Sequence, residues 1–138
     1  YTNTFGEWSG KAAGGSSGKE CLQINVKDNS AFGSFVQIPA VDGTIEKIEV
    51  TIREPYKGRA IGIFPVGYTY TKDTLDKMKE QLAKDAIAIS NETPSDVNNN
   101  EPFTFVIDNL SAKNLTQFSI FPTLGAVSIT AITVTYSK

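Results

Sequence analysis

The chain has 138 residues, within the roughly 100–150 of a single domain and enough to bury one core. Hydrophobic residues make up 40% and charged residues 20%, and no apolar run approaches the roughly 20 residues that cross a bilayer, so neither disorder nor a membrane-spanning helix is expected. A net charge of −2 with only two arginines, Arg53 and Arg59, leaves little to neutralise a phosphate backbone and argues against a nucleic-acid partner.

The sequence opens at Tyr1, with no initiator Met and no signal-like segment, and reads as a mature or excised piece of a larger multidomain protein. Residues 1–8 alternate loosely between aromatic and polar, and residues 9–18 (S-G-K-A-A-G-G-S-S-G) form a glycine-rich loop. Alternation resumes over residues 20–26, where Cys21 reads as a buried strand cysteine with no second thiol to pair with. K-D-N-S at 27–30 is turn chemistry, and a strand over 32–38 stops at Pro39. V-D-G-T at 41–44 is a further turn, in which Asp-Gly supports a positive φ.

Residues 44–52 (T-I-E-K-I-E-V-T-I) are echoed at 128–136 (S-I-T-A-I-T-V-T-Y). Strict alternation from Ile48 to Ile52 and from Ile132 to Tyr136 puts one set of apolar side chains on a single sheet face. The extra spacer after Ile45 and after Ile129 predicts a bulge or bend in each strand. Two half-buried strands of this kind imply a sandwich.

Between the echoes, residues 59–66 form an apolar run suited to a strand packed on both sides or bent around an edge. Leu75, Met78 and Leu82 then recur at helical spacing, with Asp73 and Asp76 early and Lys77, Lys79 and Lys84 later, as the helix dipole favours. The reading is one amphipathic helix over 73–86, covering an edge or one end of the core. Residues 87–90 form a short strand or helix tail, residues 91–102 a long polar loop, and Phe103, Phe105 and Ile107 a core strand. Phe118 and Ile120 mark another strand, with Phe121 near the following turn as a plug for the sandwich end. The sum is an all-β antiparallel sandwich of the jelly-roll kind, with about eight strands and one inserted helix in a single domain over 1–138.

Chemistry is constrained mostly by exclusion. The chain has no histidine, which removes Ser-His-Asp catalysis, His-ligated metals and imidazole proton transfer. No phosphate-loop, dinucleotide or nucleophile-elbow glycine motif occurs, so no cofactor is called for. Calcium would find ligands only at Asp28 with Asn29, and at Asp96 with Asn98 and Asn100, where turn formation is an equal explanation. A two-carboxylate glycosidase needs a close acidic pair in a cleft. Aromatic side chains outside the core are the better lead, because sugar rings stack C–H faces on Trp and Tyr. Trp8 lies beside the glycine loop next to Glu7, Tyr56 in the turn-like E-P-Y-K-G, and Tyr68 and Tyr70 just before the helix. Arg53, Glu54, Arg59 and Gln117 are candidate hydroxyl partners.

The two echo strands, the V-D-G-T turn and the terminal A-I-T-V-T-Y-S resemble β-sandwich modules of secreted multidomain proteins from gut and rumen Bacteroidetes. They are also similar in length and strand rhythm to jelly-roll carbohydrate-binding modules. The resemblance implies a non-catalytic, extracellular or cell-surface module binding a plant or host polysaccharide. The competing expectation is a structural, adhesin-like module that docks a protein through a sheet edge or the helix.

Overall fold

The structure is a computed structural model that describes residues 1–5, 22–26, 35–71 and 73–138. Glu7, Trp8, Cys21, the glycine-rich residues 9–18, the 27–30 turn with Asp28 and Asn29, and Phe32 lie outside the described residues. Among the described residues, nine strands and one α-helix follow in order: β1 (Thr2–Phe5), β2 (Leu22–Ile24), β3 (Val36–Gln37), β4 (Thr44–Arg53), β5 (Ile61–Phe64), α1 (Leu75–Asp85), β6 (Ala88–Ile89), β7 (Phe103–Ile107), β8 (Ser119–Pro122) and β9 (Val127–Ser137).

Each of these ladders is antiparallel. One sheet runs β1-β9-β4-β7, with β2 also on β9, and the other runs β3-β8-β5-β6. From β2 onward the chain passes back and forth between the sheets, save from β5 to β6, giving the jelly-roll sandwich that the strand rhythm predicts. The strand beyond the expected eight is β1. It shares one edge of β9 with β2: Thr2 to Phe5 pair with residues 132–135, and Leu22 to Ile24 with residues 127–129.

The echoed sequences are each other's partners. Around the pair Glu49↔Thr133, β4 and β9 match in a local pseudo-two-fold: Ile48 faces Val134 and Val50 faces Ile132. Farther out, Ile45 faces Tyr136 and Ile52 faces Ile129. The register shifts between Ile45 and Lys47 on one side and between Thr51 and Ile52 on the other. The extra residues are Glu46 in β4 and Thr130 in β9, at the two spacers. Each bulge keeps residues three apart, Ile45 with Ile48 and Ile129 with Ile132, on the core face; all four are at most 1% exposed. The freed backbone groups are taken up locally. Leu110 N donates to the Glu46 carbonyl at 3.0 Å, and the Thr130 hydroxyl donates to the Thr51 carbonyl at 3.2 Å.

The turn into β4 departs from expectation. Gly43 does not take a positive φ. Glycine is required there because a Cβ would collide with the Ser137 carbonyl and approach Tyr136 Cδ2 to 2.9 Å.

Helix α1 covers the outer face of the four-stranded sheet, not an edge or an end of the sandwich. Strands β5 and β8 are therefore buried on both faces. Ile61, Ile63 and Ile120 enter the main core, whereas Phe64 and Phe121 join Val26, Tyr70, Met78 and Leu82 in a second one. Gly62 allows the approach: a Cβ would stand 2.9 Å from a Phe64 ring carbon and 3.4 Å from Ala86 Cβ. Phe121 thus belongs to this outer core and does not plug an end. The helix is one residue shorter at its end and two at its start than 73–86, because Thr74 is the N-cap, its hydroxyl accepting from Lys77 N, and Ala86 the C-cap. Leu75, expected on the apolar stripe, is 49% exposed; the buried stripe is Met78 and Leu82.

Tyr68 fastens the helix to the sheet. Its ring stacks on Phe64 at 4.6 Å, and its hydroxyl donates to Asp85 Oδ2 at 2.8 Å. Burial, the Asp85 hydrogen bond and the Asp85 charge all push the phenol pKa well above its ordinary value near 10. The folded state therefore holds this proton more tightly than the unfolded chain. Its contribution is intact below about pH 10 and is lost as pH rises beyond it. Urea midpoints measured from pH 8 to 11.5 should fall more steeply in the wild type than in Tyr68→Phe, which should be about 1.5 kcal/mol less stable at pH 8.

Candidate functional site

Among the described residues neither broad face of the sandwich offers a ligand platform. On the five-stranded sheet the outer row Val106, Glu49, Thr133 and Thr4 crosses four strands and is polar but for Val106. Flanking it are the Thr51–Thr104 hydroxyl pair at 3.0 Å and the exposed Lys47–Glu49 ion pair. The opposite outer face lies under α1. The chain's candidate chemistry is at the end where β4 passes to β5, β6 to β7 and β8 to β9.

There, Gln23, Ser128 and Arg53 stand in one register row across β2, β9 and β4. Directly after this row Glu54 takes a φ of 47°, a left-handed conformation uncommon for a residue that is neither Gly nor Asn, and the chain turns into Pro55 and Tyr56. A recess results, lined by Gln23, Ile52, Arg53, Glu54, Pro55, Tyr56, Arg59, Ala126, Val127 and Ser128. Two shallower hollows adjoin it. One lies between Tyr56, Lys57 and the Ser95–Val97–Asn99 side of the long loop; the other joins Arg53 and Glu54 to Asn99, Asn100, Glu101 and Pro102.

Local bonds hold the rim. The buried Thr93 hydroxyl accepts from Arg59 N at 2.9 Å and donates to the Tyr56 carbonyl, while Thr93 N donates to the Arg59 carbonyl at 2.8 Å. The long polar loop thereby clamps both ends of the Tyr56–Arg59 turn. Thr93→Val keeps the shape but leaves the half-buried Arg59 N–H and the Tyr56 carbonyl without the hydroxyl that joins them. It should cost about 2 kcal/mol in urea unfolding, whereas Thr93→Ser should be nearly neutral.

Tyr56 is 56% exposed. Arg59 places its guanidinium carbon 5.8 Å from the Tyr56 ring centroid, and its Nε donates to the Ala126 carbonyl at 3.1 Å. Gly125 leaves room for this pose, since a Cβ there would stand 3.0 Å from the guanidinium. Arg53 Nε is buried without a hydrogen-bond partner, the one such side-chain atom among the described residues.

Four of the sequence-predicted residues, Arg53, Glu54, Tyr56 and Arg59, therefore meet in one recess. Tyr68, Tyr70 and Gln117 do not join them. Tyr70 is 8% exposed and sits in the second core, its ring 6.0 Å from Phe121, so it has no face for a ligand. Tyr68 spends its ring on Phe64 and its hydroxyl on Asp85. Gln117 donates to the Ile38 carbonyl at 2.8 Å near the opposite end, tying the approach to β8 to the exit from β3. Trp8 lies outside the described residues. Gln23, Ser128, Thr93, Asn99 and Glu101 escaped sequence reasoning, and Asn100 was singled out there only as a calcium ligand, since only cross-strand register and loop return bring these residues to Arg53.

Of the two calcium clusters, that of Asp28 lies outside the described residues. In the second, Asn98 Oδ1 accepts from Asn100 N at 2.9 Å, an ordinary turn bond. Among the described residues no group of three or more His, Cys, Asp or Glu could hold a metal, and no helix is long and apolar enough to cross a membrane. No family model, curated protein or solved structure matches the chain.

Proposed function

We propose that this jelly roll is a non-catalytic carbohydrate-binding module that holds a polysaccharide at its loop end. The observation carrying this reading is Tyr56: an exposed ring on a rim clamped by Thr93, beside a recess whose walls offer guanidinium, carboxylate, amide and hydroxyl groups. A flat apolar face held rigid beside fixed polar donors suits a sugar ring, which presents C–H bonds on one side and hydroxyls around its edge. An extracellular or cell-surface setting, as part of a larger protein, belongs to the same reading.

Affinity electrophoresis and calorimetry against soluble plant and host polysaccharides test it. Wild-type protein should be retarded by at least one glycan, and Tyr56→Ala should weaken that binding roughly tenfold or more while leaving the fold intact. Undiminished retention in Tyr56→Ala would remove Tyr56 from the site. Reducing-sugar release from the same panel should be nil; release abolished by Glu54→Gln or Glu101→Gln would replace a binding module with a hydrolase.

One observation favours a second reading. Among the described residues β7 is one edge of the five-stranded sheet, opposite the edge made by β1 and β2, and its Val106 is 48% exposed. An edge of this kind can take an added strand from a protein partner. That reading predicts assembly that persists in Tyr56→Ala and is lost on placing proline or lysine in β7.

A further inference from the structure

We infer that the recess selects an acidic sugar, taking the carboxylate of a uronate between Arg53 and Arg59 while the ring of that sugar or its neighbour lies on Tyr56. The inference rests on the carbohydrate reading above and narrows it to one substrate class.

Three observations carry it. First, a chain of net charge −2 contains two arginines, and both line this one recess. Among the described lining residues Glu54 is the single carboxylate, so these residues carry an excess positive charge on a weakly acidic protein. A neutral sugar does not call for that arrangement. Guanidinium groups match a carboxylate in shape and charge, and the pairing is roughly twice as strong as a neutral hydrogen bond.

Second, Arg59 is oriented before any ligand arrives. The Ala126 carbonyl occupies its Nε, the Tyr56 ring lies against its guanidinium, and Gly125 leaves the space in which it rests. Among the described residues the Ala126 carbonyl is the one acceptor bonded to that guanidinium. Its Nη groups are the donors left for a ligand.

Third, Arg53 carries a cost that contacts among the described residues do not relieve. Its Nε is buried and unpaired, an arrangement that ordinarily destabilises a fold. Satisfying it takes a shift of the Arg53 side chain that opens this buried N–H to an oxygen in the recess, which a ligand carboxylate would favour. Glu101 lines the adjoining hollow with Arg53 and Glu54, and Glu92 Oε1 lies 3.9 Å from the position of a Cβ on Gly58 in the turn. They disfavour a long run of anionic groups along the rim and favour one charged residue held at one point.

Calorimetry should compare polygalacturonate and hyaluronan with their carboxyl-reduced forms, with neutral xylan and laminarin, and with sulfated carrageenan. The expected result is binding to a uronate-containing glycan that falls at least tenfold on carboxyl reduction. Arg59→Gln and Arg53→Lys should each weaken it by a similar factor, Arg53→Lys without loss of thermal stability because it deletes the unpaired Nε. Gly125→Ala, which crowds the guanidinium of Arg59 and disturbs its bond to the Ala126 carbonyl, should weaken binding with only a small loss of thermal stability. Equal affinity for native and carboxyl-reduced glycans, with Tyr56→Ala still damaging, would overturn the uronate inference and leave the carbohydrate reading standing. Binding of sulfated glycan alone would also overturn it. No binding to any glycan by folded protein would overturn both.

Discussion

Phe121→Ala is expected to destabilise the protein by about 3–5 kcal/mol, because Phe121 is the hub of the layer between sheet and helix. Its ring centroid lies 4.9 Å from Phe64, 5.1 Å from Phe35, 5.3 Å from Tyr68 and 6.0 Å from Tyr70. Removing it opens a cavity that none of these rings can fill without leaving its other contacts. A domain of ordinary stability, about 5–15 kcal/mol, would lose a large fraction of its margin. Urea unfolding followed by far-UV dichroism should show a midpoint lower by more than about 1 M, and helix amides should exchange faster than those of β4 and β9. The loss arises in the outer core and leaves the contacts around Tyr56 in place. At urea concentrations where the variant is still folded, glycan binding should therefore match the wild type. A loss below about 1 kcal/mol would mean that α1 is only loosely applied to the sheet.

Gly43→Ala is expected to cost about 3 kcal/mol, for a reason unrelated to backbone freedom. A methyl group at residue 43 would strike the Ser137 carbonyl, and backbone at the end of β9 cannot swing aside as a side-chain tip can. Thr44 pairs with Ser137 and Ile45 with Tyr136, so displacement would pull apart the end of the β4–β9 ladder beside the Glu46 bulge. Gly67 provides the contrast. Its φ is +86° and nothing lies within 4 Å of where a Cβ would stand, so Gly67→Ala should cost only the conformational penalty of about 1–2 kcal/mol. Thermal unfolding of the two variants side by side distinguishes collision from strain; equal losses would mean that the 41–44 turn shifts to admit the methyl.

The sandwich was legible because its two longest strands write the core pattern twice. The spacers Glu46 and Thr130 broke the alternation at matching points, and an interruption that leaves the same face apolar on both sides reads as a bulge or bend; the register shows a bulge at each. Helix α1 was legible for the same reason, through Met78 and Leu82, but where it packs was not. Its resting place is set by Gly62, Phe64 and Phe121; the 59–66 run read as packed on both sides or bent around an edge with nothing to name the cover, and Phe121 read as a plug at a turn. Tyr70 shows the consequence. Two residues from Tyr68 and close to a glycine, it reads as exposed until the sheet is seen to carry a second core on its outer side.

The candidate site was half legible. Arg53, Glu54, Tyr56 and Arg59 are near neighbours in sequence, and the E-P-Y-K-G turn announces an exposed ring. Gln23 and Ser128 reach Arg53 only through strand register, and Thr93 only because a long loop returns to the β4–β5 turn. Gln117 shows the converse error: a long amide side chain next to core strands is as readily a backbone clamp as a ligand contact.

A glycan site at the loop end is best tested by a ¹H–¹⁵N correlation titration with short oligosaccharides, uronate-containing and neutral, each added separately. Saturable shifts are expected only in residues 53–59, 99–102 and 126–128, with Gln23 included and the β7 amides of residues 103–107 outside the loop junction unmoved. Shifts centred on β7, or none at millimolar sugar while the protein stays folded, would refute the loop-end site and transfer the function to the β7 sheet edge.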